Sequence, residues 1–171
     1  MRVSAVVLER VFTVSNTLSD GLTKVSFDPS YDADKNRMGG LIGDIDSSPT
    51  VTISNCYATG SVSGKNYNGG FIGNVNSSAT VTVTNGYTTS AVSGGKWNSG
   101  VFGGGINGTV TCTGFVGWNT SNRAVWYYNG GSSAPMGNYM GKEGTVYSQA
   151  VALGGWDFTN VWTTDDIPQL R

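Results

Sequence analysis

The sequence predicts an all-β protein, a right-handed parallel β-solenoid (β-helix) of about three coils with a repeat of about 30 residues and a C-terminal capping segment. Three observations carry this. First, GGLIGDIDSSPTVTISNCYATGSVSG, from Gly39 to Gly64, is written again from Gly69 to Gly94 as GGFIGNVNSSATVTVTNGYTTSAVSG. A third copy opens at the same interval, with Gly40, Gly70 and Gly100 in equivalent places, and then shortens through VFGGGINGTVTCTGFVGW. Second, apolar and polar residues alternate with period two inside each copy, the mark of a half-buried strand. Third, Gly makes up 26 of 171 residues and charged residues only 12%, with Ser, Thr and Asn abundant, which suits an all-β repeat with many turns.

Each element can be justified in chain order. Val14-Ser15-Asn16 matches Ile53-Ser54-Asn55, which places an incomplete first coil at residues 3–16. Residues 17–38 form a longer excursion, and loops of that kind often carry function. Within it Asp32, Asp34 and Asn36 space oxygen ligands as in the first half of a calcium loop. The match then fails, because Arg37 stands where such loops have Gly and Gly43 where they have a bidentate Glu. A solvated turn rich in Asp and Asn is the competing reading of this weak calcium candidate.

Each repeat copy then supplies three short strands. Gly40-Leu41-Ile42-Gly43 with Ile45 forms one, repeated as Phe71, Ile72 and Val75 and again as Val101, Phe102 and Ile106. Val51 and Ile53 alternate with Thr50, Thr52 and Ser54 in a second, repeated at Val81 and Val83 and continued by Val110 and Cys112. Ser61-Val62-Ser63-Gly64 and Ala91-Val92-Ser93-Gly94 give the third. Clusters such as Asp46-Ser47-Ser48-Pro49 and Lys65-Asn66-Tyr67-Asn68 separate them as turns. Three such strands bury no apolar face alone, but equivalent coils stacked about 4.7–4.9 Å apart pair each strand with its copies. A β-sandwich would also show short strands with frequent turns, but it does not require identical residues at a fixed interval.

The repeat frame fixes several rows. Cys112 falls in line with Val83 and Ile53, whereas Cys56 falls in line with Gly86 and Phe115, an offset beyond the roughly 7 Å Cα separation a disulfide spans. Two free, mostly buried thiols are expected. Thr50/Thr52, Thr80/Thr82 and Thr109/Thr111 form an exposed TxT array, resembling those of ice-binding solenoids or simply a solvated strand. Tyr57 and Tyr87 form a ladder that Val116 continues. After Trp118 the repeat dissolves. Trp126, Tyr127 and Tyr128, beside Asn129-Gly130-Gly131, could present rings and amides to a sugar or pack over the last coil. Phe158, Val161, Trp162, Ile167 and Leu170 suit a cap over the open end, with Tyr147 to Leu153 as a short strand or helical turn.

Composition also excludes function classes. The chain has no His, and from Ser47 to Lys142 it has neither Asp nor Glu, so the repeat body lacks the carboxylates and imidazoles of general acid–base chemistry. Lys65, Lys96 and Arg123 have no acidic neighbour in sequence, and Ser and Thr have no evident activating base. No catalytic residue is therefore assigned, and no cofactor beyond the calcium candidate. A net charge of −1 gives no reason to expect nucleic acid, and no segment approaches transmembrane length. The apolar run Val3 to Leu8 is too short for a signal-peptide core, which suggests a fragment of a longer exported protein or a virion component made without a signal.

The pattern GG-hydrophobic-hydrophobic-G followed by TVTISNCYATGSVSG resembles the GLUG repeats of large surface-exposed and secreted bacterial proteins, many adhesin-like and some attached to peptidases. GGWDFTNVWTTDDIPQLR, from Gly154 to Arg171, is similar to the segment that commonly closes such arrays. The resemblance covers about residues 10–118 and the last eighteen, and transfers no catalytic residue. The length fits a single domain over 1–171, which the repeat pattern divides into a first coil and loop at 1–38, three coils at 39–118 and a cap at 119–171. The function the resemblance implies is a non-enzymatic extracellular structural or adhesion module of a larger cell-surface protein. Its partner would be a protein, a glycan, or a second copy through the open N-terminal coil. A virion surface or fibre component and a carbohydrate-binding accessory domain are the alternatives.

Overall fold

The repeat aligns every strand with its own copy, and that alignment is the organising fact of the computed structural model, which describes residues 12–19, 37–45, 50–75, 79–117, 125–128, 139–140 and 144–171. Thirteen strands and one helix are present among the described residues. In chain order they are β1 (Phe12–Ser19), β2 (Met38–Gly39), β3 (Ile42–Ile45), β4 (Thr50–Ala58), β5 (Ser61–Asn66), β6 (Asn68–Gly69) and β7 (Ile72–Val75). There follow β8 (Thr80–Thr88), β9 (Ala91–Lys96), β10 (Phe102–Ile106), β11 (Thr109–Gly117), β12 (Val125–Tyr128), β13 (Tyr139–Met140) and α1 (Val146–Leu153). The protein is all-β with parallel sheets. One has the order β1-β4-β8-β11-β13, another β12-β10-β7-β3, and two smaller ones pair β2 with β6 and β5 with β9.

The register is the one the repeat dictates. Thr50 pairs with Thr80 and Thr80 with Thr109, and Ile53, Val83 and Cys112 form another row. Cys56 lines up with Gly86 and Phe115, and Val14 with Ile53, as the matching residues require. Both cysteines are free and buried, as expected. The pairing runs on through the corners. Gly40 N–H donates to Gly69 O at 3.2 Å, Leu41 N–H to Phe71 O at 2.8 Å and Phe71 N–H to Val101 O at 2.9 Å. These corners need glycine: a Cβ on Gly70 would lie 2.1 Å from Gly100 O, the carbonyl of its own equivalent.

Alternation explains the core until one residue breaks it. Val51 and Ile53 are buried and Thr50 and Thr52 exposed, after which Asn55, Asn85 and Gly114 adopt positive φ of 50°, 52° and 63° at equivalent places. Asn and Gly are the residues that tolerate this left-handed backbone best. The bend shifts the parity of the strand. Cys56 and Ala58 rejoin the main apolar cluster with Leu41, Ile42, Phe71, Phe102 and Phe115, while Tyr57 and Tyr87 join a second cluster with Trp156 and Trp162.

Parallel pairing continues beyond the sequence repeat: β12 pairs β10, with Phe102 opposite Val125, and β13 pairs β11, with Val116 opposite Tyr139. The interval is shorter than the thirty residues of the sequence repeat. The closing segment packs against β4 and β8. Trp162 is fully buried, 5.9 Å from the Tyr57 ring and 6.0 Å from that of Tyr87, and Ile167, expected to cap, is 46% exposed. The physical reason is the tyrosine row, which offers apolar rings and hydroxyls together. Tyr57 donates to Gln169 Oε1 at 2.6 Å and Tyr87 to Pro168 O at 2.8 Å. Asn85 Nδ2 donates to Gly155 O at 2.7 Å and Trp156 Nε1 to Gly114 O at 2.8 Å. The segment around Tyr147 to Leu153 is helix α1, started by a capping box in which Ser148 N–H donates to the Thr145 hydroxyl and Thr145 N–H to that of Ser148.

Candidate functional site

In-register parallel pairing places like residues side by side, so candidate surfaces take the form of rows. The first is polar. Thr50, Thr80 and Thr109 are all exposed and paired in register, and beside them Thr52, Thr82 and Thr111 form a second row. Ser54, Thr84 and Thr113 form a third. Their methyl and hydroxyl groups make an uncharged face of β-branched threonines, with Ser54 the exception.

The tyrosine row is not a free surface. Tyr57 and Tyr87 stack at 4.8 Å with an interplanar angle of 8°, and the closing segment covers them. Burial, and secondarily the neighbouring Tyr57, pushes the Tyr87 phenol above the ordinary tyrosine range, which keeps it neutral as a hydrogen-bond donor to Pro168.

A third surface reads in the sequence only as a turn. Tyr67 and Trp97 follow β5 and β9 at equivalent positions, and their rings stack at 4.6 Å with an interplanar angle of 22°. The equivalent residue one repeat earlier is Arg37, whose guanidinium carbon lies 6.0 Å from the Tyr67 ring centroid. Arg37 is anchored at 2.5 Å to Asp44 Oδ2, and Asn74 Nδ2 donates to Asp44 Oδ1 at 2.9 Å. A column of cation, phenol and indole results, ending at Trp97, which is 36% exposed. The signal was legible as aromatic residues thirty positions apart in Asn66-Tyr67-Asn68 and Lys96-Trp97-Asn98, masked by their turn-forming neighbours.

The backbone beneath this stack is strained. Tyr67 has φ 54° and Trp97 φ 58°, in the left-handed region where a bulky L-residue costs about 1–2 kcal/mol. The ring pair returns about 0.5–1.5 kcal/mol, and an exposed cation over a ring about 0.5–1 kcal/mol. These contacts, together with the apolar area that Tyr67 and the mostly covered Trp97 ring remove from water, offset the strain of the pair.

The other sequence candidates fall elsewhere. Trp126, Tyr127 and Tyr128 lie in β12, in whose register with β10 Tyr127 pairs with Gly105 and Tyr128 with Ile106. Asp32, Asp34 and Asn36 lie outside the described residues. Among the described residues no three His, Cys, Asp or Glu side chains are grouped so as to hold a metal ion, and no helix is long and apolar enough to cross a membrane. No family model, curated protein or solved structure matches the chain.

Proposed function

We propose that this chain is a non-enzymatic extracellular structural or adhesion module, a right-handed parallel β-solenoid of GLUG-like coils within a larger cell-surface or secreted bacterial protein. The observation that carries the reading is the in-register repetition of exposed side chains, Thr50, Thr80 and Thr109 above all. A surface tiled by identical uncharged groups suits contact with a repetitive or extended partner better than turnover of one small molecule. Support for the solenoid comes from the common thirty-residue offset of β3 to β7, β4 to β8 and β5 to β9, carried through the Gly corners by rung-to-rung hydrogen bonds. The partner is a protein, a glycan, or a second copy through the first coil.

The test compares beads coated with the purified chain and beads coated with albumin for retention under flow on cells, on polysaccharide films and on a layer of the chain itself. Retention above albumin on at least one of the three is expected. Equal retention on all three, or turnover of chromogenic ester, glycoside or peptide substrates that survives repurification, would remove the proposal.

A further inference from the structure

We propose that the threonine face of β4, β8 and β11 binds the surface of ice. The inference goes beyond the adhesion reading and does not depend on it, because the ligand is water in crystalline form.

The first observation is the uniformity of the face. Its nine outward positions, the three rows described above, are eight Thr and one Ser, all exposed or half-buried, and the three strands carry no charged residue. Solvation alone does not require this, since most polar side chains satisfy an exposed strand position. The paired strands β5 and β9 make the comparison: Ser61 stands beside Ala91, and Lys65 and Lys96 are among their exposed residues.

The second observation is which residues the repeat keeps. Between β8 and β11 the paired buried positions change, Val83 to Cys112, Gly86 to Phe115, Tyr87 to Val116 and Thr88 to Gly117, and only Val81 persists, as Val110. All three outward threonines persist. At the other side of the sheet, Thr13 and Ser15 of β1 hold the register positions of Thr52 and Ser54. Core packing would retain the buried residues first; here the outward ones recur.

The third observation selects the ligand. Parallel pairing spaces the threonines about 4.7–4.9 Å across the strands, and alternation spaces them about 6.6 Å along each strand. The net is close in both directions to that of the water oxygens on a prism face of hexagonal ice. A peptide or a single glycan chain repeats in one direction, whereas a crystal face repeats in two. An ionic crystal would call for charged side chains, and the sugar planes of a crystalline polysaccharide for aromatic rings; the outward positions hold neither. Threonine suits ice in three ways. Its hydroxyl joins the hydrogen bonding of the first water layer, its methyl borders that layer without competing for it, and its stiff χ1 holds both groups in place before binding. A lysine among them would keep a hydration shell of its own.

Partition of the full chain into slowly grown ice, with albumin in the same solution, tests this. The chain is expected to be enriched in the ice at least about tenfold over albumin, and a single ice crystal in its solution to grow with facets. Thr82→Lys, in the middle strand, and Thr111→Lys, at an exposed position, are each expected to lower the enrichment at least about fivefold. Both are expected to melt within a few degrees of the native chain, and should Thr82→Lys melt early, Thr111→Lys decides. Ser61→Lys, at an exposed position of β5, is expected to leave the enrichment unchanged. Exclusion of the native chain from ice together with albumin, undiminished uptake of Thr111→Lys, or an equal loss in Ser61→Lys would overturn the site. Bead retention on polysaccharide films that Thr111→Lys abolishes, without enrichment in ice, would remove this inference and leave the adhesion reading standing. Enrichment in ice with retention equal to albumin on all three surfaces would do the reverse.

Discussion

Phe115 owes its place to a glycine on the paired strand. Its ring lies 4.8 Å from Phe71 and 6.3 Å from Phe102, and the paired residue below it is Gly86, followed by Cys56. A Cβ on Gly86 would stand 2.5 Å from Cys56 O and 3.3 Å from the Phe115 ring. Gly86→Ala is therefore expected to cost about 1–3 kcal/mol, as overpacked cores do, read as a lower midpoint in urea. The thiols of the same core are expected to be silent. Burial raises the Cys112 thiol to about 12, so the neutral form is favoured by folding; that contribution is complete below the unfolded value of about 8.5 and fades as pH rises toward 12. Native protein at pH 8 should give less than one thiol per chain with a water-soluble disulfide reagent, and two after unfolding in guanidinium. A gain of two hydrogens in mass on reduction would contradict the free cysteines.

At the scale of elements, the closing segment shows what sequence could and could not say. Its apolar residues were visible as a cluster in the last eighteen residues, and the tyrosine row as one residue type at a thirty-residue interval. Their meeting was not, because it depends on the bend at Asn55 and Asn85 that turns Tyr57 and Tyr87 out of the main core while Cys56 and Ala58 stay in. A local φ reversal leaves only an Asn as its trace, and Asn has many uses. The strands, their thirty-residue register and both free thiols were legible for the opposite reason: ladder pairing repeats whatever the sequence repeats. Strands β12 and β13 were not, since their interval is shorter and their residues unlike those they pair with. The Tyr67 and Trp97 pair was present in the alignment and lost among turn formers. Trp162 anchors the segment against β4 and β8, fully buried against Tyr57, Tyr87 and Trp156. Trp162→Ala is expected to cost about 3–5 kcal/mol, the range for a buried aromatic truncated in place. Tyr87→Phe, which leaves the Pro168 carbonyl without its donor, is expected to cost about 1 kcal/mol. If both variants melt with the native protein, this contact is not a stabilising one.

For the whole molecule, the proposed solenoid makes a demand that a sandwich does not. Residues 69–98 form one complete interval, and Asn68 and Asn98 are equivalent, so a second copy of 69–98 inserted after Asn98 recreates the native Asn-Gly junction at one end and Asn98-Ser99 at the other. In a stack of coils the inserted strands find the same neighbours above and below that β6, β7, β8 and β9 have now, and each adds about 4.7–4.9 Å to the length. The closing segment is served as well. Its hydroxyl donor at Tyr57 is replaced by the first Tyr87, its second by the inserted one, and the contact of Trp156 with Gly114 is unchanged. Tyr57 alone is left uncovered at the near end. The insertion variant is thus expected to stay monodisperse, to unfold in one cooperative step within a few degrees of the native chain, and to show in small-angle scattering a particle longer along one axis and unchanged in cross-section. In a sandwich, whose strands are not equivalent, thirty added residues have no vacant place and emerge as a loop or break the sheets. An insertion that aggregates, or that enlarges the particle without lengthening it along one axis, would refute the stacked coils.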